Sequence, residues 1–217
     1  MKIFKFLKLN KSITKLALLL FAWNLVVPNA KAEMEPFIES SATYFTQTWL
    51  ETPGFEKLTP PQIISLNPES KILFGCSTGN NSKNIGGSAY CSVSNTIFLT
   101  NDQLKFFYEV NGESGIAYLM AHEFAHALQH AVFNELDNPA KELQADCIAG
   151  IFTSSMLNIS RSEMLALARL SLHLGSDYHG TGSQRAYALL TGLGVIEGTC
   201  FDKDMIKLSK GKIKNKS

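Results

Sequence analysis

The chain has 217 residues, 45% hydrophobic and 18% charged, and a formal net charge of +1. That length allows one domain with a substantial core, and the near-average composition fits a globular protein rather than a disordered or fibrous one. The charge balance provides no basic surface of the kind that nucleic-acid binding requires, so no nucleic-acid partner is expected.

The N-terminus departs from this average. Lys2, Lys5, Lys8, Lys11 and Lys15 precede an apolar stretch from Leu16 to Val27, followed by Pro28 and by Ala30-Lys31-Ala32, which has the small-x-small form of a signal-peptidase site. Residues 1–32 are therefore expected to be a signal peptide cleaved after Ala32, and residues 33–217 a single domain. The apolar stretch falls short of the roughly 20 residues that a membrane-spanning helix needs. The mature protein is expected to be exported, periplasmic or secreted, and to touch a membrane only if the leader stays uncleaved. The leader holds six Lys and no acid, so subtracting them from +1 leaves the mature chain at about −5.

After the leader, Phe37, Ile38, Ser41, Tyr44, Phe45, Thr48 and Trp49 recur at helical spacing and predict a helix over Glu35 to Glu51, which Pro53-Gly54 stops. Three short β-favouring runs follow: Ile63 to Leu66, Lys71 to Phe74, and Thr96 to Thr100. Between the second and third runs lies a Gly/Asn/Ser-rich loop, Ser77 to Gly87, bounded by Cys76 and Cys91. With Cys147 and Cys200 the chain has four cysteines, an even count that in an exported protein makes disulfides the default and permits three pairings. Joining Cys76 to Cys91 would order the loop and leave Cys147 with Cys200. No CxxC spacing supports a cysteine-based zinc site instead.

Helical character starts at Ser114. Gly115 to Phe133 is rich in Ala, Leu, Met and Ile and reads as a helix buried on most faces. Asn138 is a candidate N-cap, with Pro139 at the first position of a second helix running to about Leu157. Ser162 opens a third that reaches Leu174, and Gln184 to Leu190 forms a fourth, ending at the Gly-rich 191–194. The basic stretch Lys203 to Lys216 reads as a solvated terminus and is assigned no function. The expected fold class is α+β, one mainly helical domain with a small β-sheet.

The chemistry is concentrated in His122-Glu123-Phe124-Ala125-His126. Residues four apart share a helix face, so His122 and His126 can present ring nitrogens to one Zn2+ ion while Glu123 stands beside it as general base. Two histidines and a glutamate inside an apolar helix are costly unless a metal or partners satisfy them. A catalytic zinc takes a third protein ligand and leaves a fourth position open. Glu142 in Glu142-Leu143-Gln144-Ala145-Asp146 is the expected third ligand, with Asp146 one turn on to accept the free ring N–H of a ligand histidine. The spacing also admits the converse, Asp146 as ligand and Glu142 as its outer partner. His130 has rotated away from His122 and is expected at the edge of the cleft.

These motifs resemble the bacterial neutral zinc metallopeptidases, gluzincin-like in their ligand pattern. The resemblance rests on His122 to Gln129, on Glu142 to Gly150, on His179-Gly180-Thr181-Gly182-Ser183-Gln184-Arg185, and on the region from Gly75-Cys76 through Tyr90-Cys91 to Ile97-Phe98-Leu99. It implies zinc on His122, His126 and Glu142, Glu123 as base, and disulfides Cys76–Cys91 and Cys147–Cys200. It also draws attention to His179 and Arg185: a histidine in a Gly-rich loop just before a helix is placed to reach the cleft and, in a catalytic role, donate a hydrogen bond to the oxyanion, the alternative being that His179 and Arg185 only tie down the loop. The chain departs from the pattern at Ala125, where the family usually has Gly, and at Ala186-Tyr187, where the family has a tryptophan-containing run. The expected activity is zinc-dependent cleavage of a peptide or protein substrate. A zinc-stabilised envelope binding or chaperone-like module without turnover and a hydrolase of non-peptide amides are the alternatives.

Overall fold

The computed structural model describes residues 30–66, 87–132 and 135–213, with side chains from Met34 onward. The leader up to residue 29, the expected strand Lys71–Phe74, Cys76 and Phe133 lie outside the described residues.

The chain is mainly helical with one three-stranded sheet, an α+β arrangement. Helix α1 spans Ala30–Glu51, beginning five residues before the expected start. Its inner face carries Phe45 and Trp49, both buried, against Phe124 further along the chain, at ring-centroid distances of 4.7 and 6.0 Å. Strands β1 (Gln62–Leu66), β2 (Ala89–Cys91) and β3 (Thr96–Thr100) form the sheet in the order β1-β3-β2. β3 is central, parallel to β1 and antiparallel to β2, so β2 is an edge strand with Tyr90 opposite Ile97.

Helix α2 spans Asn101–Ala131 and starts directly from β3, well before the expected Gly115. It contains a break at Gly112, whose φ of 58° and ψ of −145° suit a residue without a side chain. That glycine interrupts the periodicity which Leu104 and Phe107, both buried, would otherwise announce. Beyond the break almost every residue from Ser114 to Ala125 is buried.

Helices α3 (Ala140–Met156) and α4 (Arg161–His173) pack beside it, and α5 (Gly182–Gly192) packs on α3 and α4. Two expected caps are corrected. α4 is capped by Ser160, not Ser162: Ser160 and Glu163 form a reciprocal capping box that satisfies orphan N–H groups at the helix start. Asn138 does not cap α3. Pro139 occupies the cap position without a side-chain bond, and the Asn138 amide Nδ2 instead donates to Glu142 Oε1 at 3.4 Å. α5 starts two residues before the expected Gln184 because Thr181 caps it and Gln184 completes the box.

The C-terminal stretch is also corrected. Residues Asp202–Ser209 form helix α6, with Met205 and Leu208 buried against Leu143 and Ala188. Cys147 of α3 is bonded to Cys200, just ahead of α6 and 53 residues away in sequence. Cys91 is disulfide-bonded as well.

The α3–α5 contact is close enough to exclude side chains. A Cβ on Gly150 would lie 2.6 Å from the Leu189 carbonyl oxygen and 2.8 Å from Leu193 N, and one on Gly192 would strike the Cys147 carbonyl. Backbone therefore lies on backbone, with the last turn of α5 seated against the middle of α3. Among the described residues, no helix is long and apolar enough to cross a membrane.

Candidate metal centre

Because α2 is a regular helix through this region, His122 and His126 project from consecutive turns on one face, and their Nε2 atoms are 3.2 Å apart. α3 lays Glu142 across them, with Oε2 3.4 Å from His122 Nε2 and 3.3 Å from His126 Nε2. Three donor atoms thus form a nearly equilateral triangle. Zinc bound to nitrogen and oxygen at about 2.0–2.1 Å in a tetrahedron would hold its donors about 3.3–3.4 Å apart. All three residues are buried or nearly so, and Glu142 Oε2 has no hydrogen-bond donor of its own. A buried carboxylate oxygen without a donor is uncommon and costly, and a divalent cation in the triangle would satisfy it together with both rings. Two imidazoles and one carboxylate form a donor set suited to zinc.

The ring of His126 is oriented from behind. Gln129, one turn along α2, gives its amide Nε2 to the Lys141 carbonyl at 2.9 Å and to Gln144 Oε1 at 3.0 Å. Its Oε1, 2.9 Å from His126 Nδ1, is therefore the acceptor of that ring's N–H. This fixes the tautomer in which the Nε2 lone pair faces the triangle.

Behind His122 stands Asp146, fully buried. Its Oδ1 lies 3.0 Å from His122 Nδ1, the ring nitrogen turned away from the triangle, close enough for an ion pair though off the line of a strong hydrogen bond. Asp146 also accepts Nε and Nη2 of Arg185, each at 2.8 Å, and the Tyr118 hydroxyl at 2.7 Å. Arg185 in turn gives Nη1 to the Leu174 carbonyl and Nη2 to the Tyr118 oxygen. The guanidinium is thus engaged on every side, and Arg185 braces Asp146 rather than reaching the cleft.

The electrostatics follow from this enclosure. Burial opposes the Asp146 charge, but the Arg185 guanidinium outweighs it and holds the carboxyl well below the usual range. Glu142 is held low in the same way, with His122 and His126 outweighing desolvation. His122 itself is raised to about 10, because Asp146 and Glu142 favour its charge more than burial opposes it. Burial pushes the Tyr118 hydroxyl up, so it donates and does not ionise.

Glu123 is buried beside the triangle, and its Oε2 accepts the backbone N–H of Tyr90 from edge strand β2 at 2.9 Å. His179, in the turn before α5, is 40% exposed and points Nε2 at Glu142 Oε2, 3.8 Å away. Its pKa is lowered, mainly by burial. The Ser176 hydroxyl oxygen accepts the His179 backbone N–H at 3.1 Å and lies 2.9 Å from Nδ1. His130 is exposed, away from the triangle, its ring 5.9 Å from that of Tyr90.

The structure therefore brings His122, Glu123, His126, Glu142, Asp146 and His179 into one cluster and adds Tyr118, Gln129, Asn138 and Ser176, which the sequence reading had given no role at the site. The only sequence signal for these was Gln129 three residues after His126, within reach on the same helix face. Of the four expected cysteines, Cys147 and Cys200 tie α3 to the C-terminal segment, where Gln144 Nε2 donates to the Cys200 carbonyl, while Cys91 is disulfide-bonded on β2 and Cys76 lies outside the described residues. Comparison of the chain with known protein families, curated proteins and solved structures gives no match.

Proposed function

We propose that the chain is an exported, zincin-like zinc endopeptidase with the gluzincin pattern of ligands: His122, His126 and Glu142 on the metal and Glu123 as general base. The observation that supports it most is the triangle of three donor atoms closed by a buried carboxylate oxygen that no protein group satisfies. The Cys147–Cys200 bond accords with an oxidising compartment.

Zinc, when bound, supplies a Lewis acid that polarises a scissile carbonyl and lowers the pKa of water towards about 7. Glu123 moves the proton. Its Oε2 is held by the Tyr90 N–H, so Oε1 is the oxygen left to take a proton from water and return it to the leaving amine. Asp146 sits on the far side of His122 from the triangle, which favours Glu142 over Asp146 as third ligand. The Ser176 hydroxyl, already accepting the His179 backbone N–H, is free to donate to Nδ1. Nε2–H of His179 then faces the cleft, able to stabilise the oxyanion.

Glu123→Gln tests the reading. Zinc content should stay at one per chain while chelator-sensitive digestion of a peptide library falls by about 10²–10⁴, the usual contribution of a positioned general base. Full activity in that variant would sink the assignment. Zinc binding with no cleavage by the unsubstituted protein would point instead to a zinc-stabilised binding module.

A further inference from the structure

One cavity opens beside Glu123 that the proposed chemistry does not use. It has a volume of about 250 Å³ and is walled by Trp49, Leu58, Tyr90, Ala127 and Ala131, with polar groups from Thr59, Ser92, Asn95 and His130. No Asp, Glu, Lys or Arg lines it. Resting on the peptidase reading, we propose that this cavity is the specificity pocket, taking one bulky apolar or aromatic side chain of the substrate within two residues of the cleaved bond.

The placement follows from helix geometry. Ala127 and His130 stand four and seven residues after Glu123, so all three share one stripe of α2, and the pocket begins about 6 Å along the axis from the base. An extended peptide rises about 3.3 Å per residue, so a chain with its scissile bond at Glu123 brings a side chain to the pocket mouth within two residues. Tyr90 links the two places physically: its backbone N–H holds Glu123 while its ring forms a pocket wall.

The walls are fixed rather than collapsible. The Trp49 indole N–H donates to the Leu58 carbonyl at 3.1 Å, and the Tyr90 hydroxyl donates to Asn95 Oδ1 at 3.0 Å. Asn95 Nδ2 is itself tied to the Thr59 carbonyl at 2.9 Å. On α2 the wall is Ala127, His130 and Ala131, and the two alanines leave the space beside the imidazole open. A preformed, mostly apolar cleft with a few polar groups at its edge is how side-chain subsites are built, and an uncharged apolar occupant is what its chemistry accepts. Burying a large apolar side chain there instead of a methyl group should raise kcat/KM about 10- to 200-fold.

The test uses the full chain loaded with zinc, a randomised hexapeptide library, and Trp fluorescence titrations with N-acetylphenylalanine amide and N-acetylalanine amide. Cleavage products should be enriched in aromatic or large aliphatic residues at one position within two residues of the bond, and the phenylalanine compound should bind more tightly than the alanine one. Ala131→Phe, which fills the pocket, should lower that selectivity at least tenfold in both readouts. Leu58→Ala, at a side chain 40% exposed and so tolerant of truncation, should also lower it. Cleavage without side-chain preference, or preference unaffected by both variants, overturns the pocket and leaves the peptidase reading standing. Variant-sensitive binding without any cleavage overturns the peptidase reading and keeps the pocket, and absence of both overturns both.

Discussion

Arg185→Met removes the one cation that compensates Asp146 on the side away from the His122, His126 and Glu142 triangle. Both side chains are buried, Asp146 completely, and the substitution deletes two charge-assisted bonds of 2.8 Å together with contacts to Tyr118 and Leu174. Taking one partner from a buried pair leaves an uncompensated charge and costs about 3–5 kcal/mol. For a domain of this size each kcal/mol lowers the melting temperature by about 2–4 °C, so the expected fall is about 6–20 °C. The assay is urea and thermal unfolding followed by circular dichroism, carried out on Arg185→Met, Asp146→Asn and the double variant. Since the two side chains share their bonds, the double variant should lose at least about 1 kcal/mol less than the sum of the singles. A loss below about 1 kcal/mol for Arg185→Met, or strict additivity in the cycle, would refute the view that this pair holds the centre together.

Asp146→Asn should also weaken zinc binding about 10- to 100-fold, read by competition with a chromophoric chelator, because the group behind His122 sets its orientation and basicity. Cys147→Ser should cost about 4 kcal/mol from loss of a 53-residue closed loop, measured by denaturant midpoint, with α6 the first element to gain hydrogen exchange. In chelator, the denaturant midpoint should be highest between about pH 4 and 6.5. Asp146 is lowered by folding, so its contribution is present above its ordinary value and lost as pH falls below about 4. His122 is raised to about 10, so its contribution is complete below about 6.5 and lost as pH climbs through 10. A midpoint that keeps rising from pH 6.5 to 10 would contradict this.

What the sequence revealed about the site tracks what a helix repeats. His122, Glu123 and His126 are fixed relative to one another by 3.6 residues per turn, and Glu142 and Asp146 by the same rule, so each half of the cluster was readable. How the halves face each other was not, since spacing alone allowed Glu142 and Asp146 to exchange roles. Arg185 is 39 residues from Asp146 and 67 from Tyr118, and no local pattern announces such a contact. Other omissions have local causes. β2 is only three residues long, too short for an alternation to register. In α6, Met205 and Leu208 are spaced for burial, but the lysines around them gave the segment the look of a solvated tail.

The glycine contact between α3 and α5 acts as a gauge. Arg185 meets Asp146 across a helix pair whose backbones touch at Gly150 and Gly192. A single methyl group at position 150 would wedge the helices apart, stretch the guanidinium away from the carboxylate and slacken the support of His122. The geometry of the candidate centre is thus calibrated partly at a spot that contributes no side chain to it, where what matters is the hydrogen that stands in place of one.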